Sequence, residues 1–407
     1  MTCDCSAAER RIDIGLDGPC GLSLRDMRNF TFHPGPRLVA GNGLSATVAD
    51  MLPPGPVLFV SDESLVALGL TSTCRENLKA SGREVIQFDQ VEADPSFDTL
   101  MAAVAAGRDG RVVSVVGFGG GSPMDVAKLA AYLLGSGDVI EDIWGVDKCT
   151  GRALPLGLIP TTAGTGSEAT PISVITCEGG VKLAVNARPL TAEWAILDPG
   201  LTIGLPRAVT AATGVDAIVH AVEAYTSARL KNPLSDALAR EALRLLSANL
   251  ITACDEPDDI EARSAMLLGA HLAGLAFSNA PVAGVHALAY PLGGIHHLPH
   301  GISNALMLRH VMAHNLEAAR ELYAELAEIV EPDCAALGTQ ARAALLVDRL
   351  DQLVRKSGIA PRLRDHGVLA DDVPMLAREA MRQERLLVNN PCPIGEDDAR
   401  RLYMAAW

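Results

Sequence analysis

VVSVVGFGGGSPMDVAKLAAYLL, residues 112–134, has the pattern of a short buried strand that runs through glycines directly into a helix. Glycines allow the backbone to approach a phosphate, and the first turn of a helix offers unpaired N–H groups and a positive dipole end. The segment is not a complete G-x-G-x-x-G fingerprint, because a serine replaces its last glycine. The pattern predicts a pyrophosphate site, and the alternative is a tight strand-to-helix turn without a ligand. The candidate residues are Gly119, Gly120, Gly121 and Ser122.

Short apolar runs of the same kind recur along the first half of the chain. Each ends in small or polar residues, and a helix-like segment at 97–107 stands between two of them. The alternation of buried strands with helices predicts an α/β domain with a mainly parallel sheet. The further runs are VLFVSDESL (57–65), EVIQFDQV (84–91), ALPLGLIPTTAGTGSE (153–168) and WAILDP (194–199).

The pattern changes after about residue 204. From residue 206 onwards, long amphipathic stretches with a 3.6-residue period predict an all-helical second domain. The expected organisation is an N-terminal extension at 1–28, an α/β domain at 29–204 and a helical domain at 205–407. NFTFHPGPRLVAGNG (29–43) alternates apolar and polar residues and predicts an edge hairpin, a plausible pairing surface for a homodimer or higher homo-oligomer.

Composition limits the classes of function. The formal net charge is −15 over 407 residues, and such a surface repels nucleic acid and anionic lipid. No run of about 18 apolar residues predicts a membrane-spanning helix, and the first residues lack the apolar core of a signal peptide. Nine cysteines without a framework spacing fit reduced thiols. We therefore expect a cytoplasmic protein that acts on a small molecule, without a nucleic-acid or membrane partner.

Further candidate nucleotide contacts lie at the ends of other strands. Hydroxyl side chains in PTTAGTGSE (160–168) can bind ribose or phosphate at the carboxyl edge of a sheet, and the alternative is a polar turn. Asp62 ends another strand, where it either binds a ribose and disfavours the 2′-phosphate of NADP, or caps the next helix. Lys182 is a candidate contact to the cofactor or to an anionic substrate, and the alternative is an exposed surface lysine. The further candidates are Thr161, Thr162, Thr165 and Asp125.

A set of carboxylate and imidazole groups predicts a metal site. Asp216 and His220 lie four residues apart in a helical segment, so that both side chains share one face. Four of the ten histidines fall within 286–300, although some are expected to be hydrogen-bonded core histidines. One carboxylate with several imidazoles suits Fe²⁺, and Zn²⁺ would bind the same groups. The four histidines are His286, His296, His297 and His300.

Four motifs together resemble the iron-containing (group III) alcohol dehydrogenase family, which includes lactaldehyde reductases. They are GGGSPMDVAK (119–128), PTTAGTGSE (160–168), ATGVDAIVHAVEAY (212–225) and HALAYPLGGIHHLPHG (286–301), and the similarity extends from about residue 29 to Trp407. The resemblance implies a Rossmann-like α/β domain and an all-helical domain, a fold shared with dehydroquinate synthases, with a cleft between the domains. It also implies a nicotinamide cofactor, with NAD preferred over NADP. The metal ligands that it implies are Asp216, His220, His286 and His300.

The implied reaction is hydride transfer between a primary alcohol, or its aldehyde, and the nicotinamide. Many family members have HxxxH where this chain has Tyr290 four residues after His286, and the second histidine is a candidate proton relay. The relay candidates here are therefore Tyr290, His296 and His297. Hydroxyacid–oxoacid transhydrogenases of the same superfamily also have a tyrosine there, so the alternative is a transhydrogenase or a reductase of a small carboxylate-bearing aldehyde or ketone.

Overall fold

Six parallel strands form the main sheet in the computed structural model, which describes residues 29–407. All five apolar runs identified in the sequence become strands of this sheet, and four of them are buried at every position. Strands buried on both faces require no alternation of polar residues, which explains the continuous apolar runs. The predicted extension, residues 1–28, lies outside the described residues. The six strands are β1 (Arg37–Ala40), β2 (Val57–Val60), β3 (Val85–Phe88), β4 (Ser114–Gly119), β6 (Leu156–Pro160) and β9 (Trp194–Leu197).

The strand order of the main sheet is β1-β9-β6-β4-β2-β3. From β2 the chain moves outward to β3 and then returns to the other side of β2 as β4, so the order reverses between β2 and β4. Ligands of open α/β sheets bind at the carboxyl ends of strands beside such a reversal. The topology therefore places the ends of β2 and β4 at the expected ligand edge.

A second sheet of three strands, which the sequence did not predict, lies beside helix α4 (Gly121–Ser136). Its antiparallel pair is β7 (Ile172–Thr176) with β8 (Lys182–Asn186), and β8 also pairs in parallel with β5 (Gly145–Val146). Asp125 of α4 accepts hydrogen bonds from Val174 N and, through its backbone carbonyl, from Ser173 Oγ. The strands are β5 (Gly145–Val146), β7 (Ile172–Thr176) and β8 (Lys182–Asn186), and the helices of this half are α1 (Glu63–Ala67), α2 (Ser72–Ala80), α3 (Phe97–Asp109), α4 (Gly121–Ser136) and α5 (Ile140–Ile143).

From Arg207 onwards the regular structure is entirely helical, so the predicted fold class is confirmed. The predicted division between residues 204 and 205 falls between β9 and the first of these helices. A large apolar core lies between these helices. It is separate from the two apolar cores on either side of the main sheet. The helices are α6 (Arg207–Thr226), α7 (Pro233–Asp255), α8 (Ile260–Asn279), α9 (Gly284–His296), α10 (His300–Asn315), α11 (Arg320–Val330), α12 (Thr339–Ser357), α13 (Val373–Met381), α14 (Glu384–Leu387) and α15 (Glu396–Ala406).

The predicted edge hairpin at 29–43 is wrong. Its single strand, β1, pairs in parallel with β9, which is more than 150 residues away in sequence, although β1 does lie at the edge of the sheet. The chain before β1 is held by helix α8 instead of by a partner strand. Asn279 accepts a hydrogen bond from His33 N at 2.6 Å and donates one to His33 O at 3.0 Å. These two bonds use the backbone groups that an antiparallel partner would need.

Among the described residues, no single helix is long and apolar enough to cross a membrane, and only α8 and α9 taken together, bent by 105°, pass on length and composition. The six cysteines in this part of the chain are free thiols.

Candidate metal centre and nucleotide-binding edge

Helices α6, α9 and α10 bring the predicted metal ligands together. Asp216 and His220 lie one turn apart on α6, His286 lies in the first turn of α9, and His300 begins α10. The Asp216 Oδ1 atom is 4.0 Å from His220 Nε2, 3.9 Å from His286 Nε2 and 3.5 Å from His300 Nε2. All four ligand atoms lie within 4.8 Å of one another. Ligands about 2.1 Å from a tetrahedral metal are about 3.4 Å apart, so a small inward movement suffices to enclose an ion.

The surroundings of these four groups fit a cation. Asp216, His220 and His286 are buried, and burial is the main cause that lowers the pKa of the His220 imidazole to about 3. Burial raises the pKa of Asp216, but the neighbouring imidazoles outweigh it and leave that pKa below its usual range. The cluster therefore presents imidazole lone pairs and a carboxylate. Three imidazoles and one carboxylate suit a borderline divalent ion such as Fe²⁺ or Zn²⁺.

A buried asparagine completes the polar surroundings of the cluster. Asn304 Nδ2 lies 2.6 Å from Asp216 Oδ1 and 3.2 Å from Nε2 of both His286 and His300. Its Oδ1 is buried without a hydrogen-bond partner among the described residues. The Asn304 amide N–H groups thus face three acceptor atoms of the cluster. A bound cation would interact with the same lone pairs.

The buried carboxylate of Glu223 is a second group that the sequence analysis missed. Glu223 Oε2 lies 2.6 Å from His286 Nδ1. The same carboxylate accepts hydrogen bonds from the backbone N–H groups of Ala283 and Val285. The sequence did place Glu223 one turn after His220, on the helix face that carries the predicted ligands. Its hydrogen-bond partners, however, lie about 60 residues further along the chain, so the sequence did not indicate them.

The three candidates for a proton relay lie in different surroundings. The Tyr290 ring is 5.9 Å from the His300 ring, between centroids, so Tyr290 adjoins the ligand cluster. Burial raises the pKa of the Tyr290 hydroxyl, and the nearby Arg385 guanidinium opposes that shift. His296 Nε2 lies 3.5 Å from Asp372 Oδ2, and exposed His297 ends α9 with a φ of 54°. The cluster of potential metal ligands includes neither of these two histidines.

One wall of the cluster is aromatic. The Phe277 ring of α8 stacks on the ring of His220, with centroids 4.4 Å apart and an interplanar angle of 27°. This contact places Phe277 beside the ligand cluster and also within the helical core. It fixes the plane of the His220 imidazole by packing.

The two predicted nucleotide loops face each other at the carboxyl edge of the main sheet. Thr161 N donates to Gly119 O at 3.0 Å. A Cβ atom added to Gly121 would lie 3.0 Å from Thr165 Cγ2, and one added to Gly120 would lie 3.6 Å from Thr162 Oγ1. Ser122 follows in the first turn of α4. The glycines therefore keep open a narrow cradle between the N-terminus of α4 and the threonine loop, as a phosphate site requires.

The structure assigns contacts to the other three cofactor candidates. Asp62 Oδ1 accepts from Leu65 N at 2.9 Å, so Asp62 caps α1 at the end of β2. Both Asp125 carboxylate oxygens accept hydrogen bonds, one from Ser167 Oγ at 2.7 Å and one from Val174 N at 2.9 Å. These contacts connect α4 to the threonine loop and to β7. Lys182 Nζ lies 2.6 Å from Asp94 Oδ1 in a partly exposed ion pair, which is the surface alternative anticipated from the sequence.

Comparison with known proteins gives a consistent result. The family model described as "Iron-containing alcohol dehydrogenase" matches residues 35–199, and the model described as "Fe-containing alcohol dehydrogenase family, C-terminal" matches residues 210–407. The chain is 41% identical to long-chain-alcohol dehydrogenase 1 of Geobacillus thermodenitrificans over 354 residues, which cover 86% of this chain and 89% of the relative.

Two solved structures are similar over nearly the whole chain. A 1,3-propanediol oxidoreductase superposes with a TM-score of 0.90 at 34% identity, covering 93% of this chain and 100% of the other. A sulfoacetaldehyde reductase from Bifidobacterium kashiwanohense, solved in complex with NAD⁺, superposes with a TM-score of 0.82 at 28% identity, covering 93% and 99% respectively.

Proposed function

The chain belongs to the iron-containing alcohol dehydrogenase family, and from this premise we propose that it is a metal-dependent, NAD-linked enzyme that interconverts a primary alcohol and its aldehyde. The observation that carries the proposal is the convergence of Asp216 with three imidazole nitrogens within 4.8 Å. The open cradle between the glycine and threonine loops supports a dinucleotide site. In this proposal residues 29–204 bind the nucleotide and residues 205–407 bind the metal.

A divalent ion, Fe²⁺ or alternatively Zn²⁺, would be held by Asp216, His220, His286 and His300, and would act as a Lewis acid towards the alcohol or aldehyde oxygen. The protein's part is to keep these groups fixed and free of protons. Phe277 holds the plane of His220 by stacking. Tyr290 adjoins His300 and is the proposed proton relay, with His296 and His297 as the alternatives. The N-terminus of α4 and the hydroxyls of Thr161, Thr162 and Thr165 are the proposed contacts to the nucleotide phosphates and ribose.

Three further parts complete the proposal. Lys182 remains a proposed contact to the cofactor or substrate. The exposed edge strand β1 is the proposed pairing surface for a homodimer. A cytoplasmic location stays a prediction from the sequence.

A substrate with an anionic group is the second candidate, as a hydroxyacid–oxoacid transhydrogenase or a reductase of a carboxylate-bearing aldehyde. The observation that favours it is the Arg385 guanidinium near the Tyr290 hydroxyl, since the Tyr290 ring adjoins the proposed ligand His300. Arg385 forms no ion pair within the described residues, so its charge is available to a carboxylate or sulfonate. A planar guanidinium is well suited to bind either group through two hydrogen bonds.

A substrate screen separates the two candidates. Protein loaded anaerobically with Fe²⁺ is supplied with NAD⁺ and short alcohols, diols or hydroxyacids, or with NADH and the corresponding aldehydes, and NADH absorbance is followed. We expect turnover with uncharged primary alcohols and none after a chelator has removed the metal. Exchange between a hydroxyacid and an oxoacid without added NAD⁺ would instead support a transhydrogenase. Full activity of metal-free protein would contradict the proposal.

Asp62→Asn is expected to weaken the preference for NAD over NADP by about tenfold, because it removes a charge that repels the 2′-phosphate across a partly solvated gap. Asparagine is an equally good helix cap, so the hydrogen bond from Leu65 N is retained and α1 stays intact. The measurement is the ratio of kcat/KM for the two cofactors. An unchanged ratio would show that the Asp62 carboxylate serves only as a cap.

A further inference from the structure

A single buried carboxylate links the start of helix α9 to one of the four ligand residues. Glu223 lies three residues after His220 and seven after Asp216 on α6, so all three side chains share one face of the helix. The Glu223 side chain is almost completely buried, at 4% exposure of the residue. A charge in this environment persists only when it is paired and hydrogen-bonded. Glu223 meets this requirement entirely through contacts with the first turn of α9.

Three N–H groups of that turn donate to Glu223. Val285 N lies 2.6 Å from Oε1, Ala283 N lies 2.9 Å from Oε2, and His286 Nδ1 lies 2.6 Å from Oε2. Ala283 is the residue that caps α9, so the two backbone N–H groups are among those that a helix start leaves without partners. A carboxylate there also interacts favourably with the helix dipole. One side chain therefore fixes both where α9 begins and how the His286 ring is turned.

The contact with the His286 ring also determines its tautomer. Because Glu223 is an acceptor, Nδ1 of His286 carries a proton, and in the neutral imidazole Nε2 then has a free lone pair. The Asn304 Nδ2 donor, 3.2 Å from His286 Nε2, matches that arrangement. That lone pair is directed towards the cluster, with Nε2 3.9 Å from Asp216 Oδ1. Imidazoles that bind metals commonly donate their other N–H to a carboxylate, which orients the ring and raises its basicity.

We propose that Glu223 is the positioning residue of the metal centre, holding His286 in the Nδ1–H tautomer with Nε2 ready to bind a divalent cation. The inference rests on the proposed metal centre. It goes beyond the ligand set because it assigns the preorganisation of that set to a residue that does not touch the ion. The competing role is that Glu223 only stabilises the start of α9.

Glu223→Gln distinguishes the two roles. Three N–H donors face the carboxylate, and an amide of the same shape must turn its own NH₂ group towards at least one of them. The variant also removes the negative charge next to the imidazole. We expect Co²⁺ affinity, measured against a competing chelator, to fall by roughly 10- to 100-fold, with a changed d–d absorption spectrum. If Glu223 only stabilises the start of α9, Glu223→Gln would lower the unfolding midpoint but leave the Co²⁺ affinity and the d–d spectrum unchanged.

Asp198→Asn is the matched control. Asp198 is also a buried carboxylate that accepts from backbone N–H groups, here those of Gly43, Ser45 and Gly200, but it touches no proposed metal ligand. We expect it to lower the unfolding midpoint of the metal-free protein while Co²⁺ affinity stays within about threefold of that of the unaltered protein, because additive effects are the rule for distant sites.

The outcomes separate the proposals. Absence of Co²⁺ binding by the unaltered protein would refute the metal centre itself. Binding by the unaltered protein with equal affinity in Glu223→Gln would overturn only the role of Glu223. Should Glu223→Gln fail to fold, ¹⁵N NMR of the histidine rings in the unaltered, metal-free protein tests the same point, because no metal is then present to impose the tautomer. We expect the His286 proton on Nδ1, and a proton-free Nδ1 would contradict the inference.

Discussion

His300→Ala is expected to lower turnover by roughly 10³-fold or more while leaving NAD affinity unchanged, because a metal held at this cluster would polarise the substrate oxygen and contribute several kcal/mol to catalysis. His300 is the proposed ligand whose removal disturbs the fold least. Its side chain is 40% exposed, and its polar neighbours in the cluster are Asp216 and Asn304. His286→Ala, in contrast, would leave the buried Glu223 without its imidazole partner and confound activity with stability.

The matched control for this substitution is His310→Ala. His310 lies on the same helix, α10, but outside the ligand cluster. The measurements are steady-state turnover after reconstitution with Fe²⁺, bound metal per chain, and NAD affinity by fluorescence titration. Loss of metal and turnover in His300→Ala, with both retained in His310→Ala, is the expected pattern. Turnover by His300→Ala within about tenfold of the unaltered protein would contradict a catalytic metal at this cluster.

The parallel sheet was predictable because its signal is local. A strand buried on both faces has to be apolar throughout, and β2, β4, β6 and β9 show this within four to six residues each. The hairpin prediction failed for the opposite reason. The alternation around Pro34 and Pro36 suggested a local partner, whereas β1 pairs with β9 and His33 is bound by Asn279. Pairing over such separations leaves no trace in a short window of sequence.

The candidate site divides in the same way. The spacing of Asp216 and His220 is a property of one helix, so the sequence alone indicated that they share a face. Nothing in the sequence from 286 to 300 distinguishes His286 and His300 from the two histidines between them, and only the family resemblance selected them. Glu223 escaped notice because its role depends on how α6 packs against the start of α9. Asn304 is likewise separated from Asp216 by 88 residues.

The ammonium group of Lys128 is buried under the threonine loop, and its removal is expected to destabilise the fold strongly. Lys128 of α4 has no exposed surface. Its Nζ donates to Ser167 Oγ and to Ile172 O, each at 2.6 Å, and lies 3.6 Å from Asp125 Oδ1. Burial lowers the pKa of Lys128 and raises that of Asp125, and each charge opposes the shift of the other. The lysine thus ties the helix behind the glycine loop to the threonine loop and to β7.

Lys128→Met is expected to lower the free energy of unfolding by about 3–5 kcal/mol, because methionine fills the space but leaves the charge of Asp125, whose side chain is only 15% exposed, without its cation. The Ile172 carbonyl also loses a donor. The measurement is urea unfolding of the metal-free protein, followed by tryptophan fluorescence, since Trp144 and Trp194 both lie in the α/β part. The control is Lys79→Met on the surface helix α2, where the expected change is within about 0.5 kcal/mol.

A second substitution tests whether the loss of stability comes from the unpaired Asp125 carboxylate. In the double variant Lys128→Met with Asp125→Asn, no ion remains to be compensated, so stability should recover by at least about 1 kcal/mol relative to Lys128→Met alone. Because Ser167 belongs to the threonine loop, Lys128→Met should also raise KM for NAD, and the double variant should not restore it. A loss no larger than that of Lys79→Met would show that the buried ion pair contributes nothing to the fold, and an unchanged KM would show that the loop does not depend on the lysine for its position.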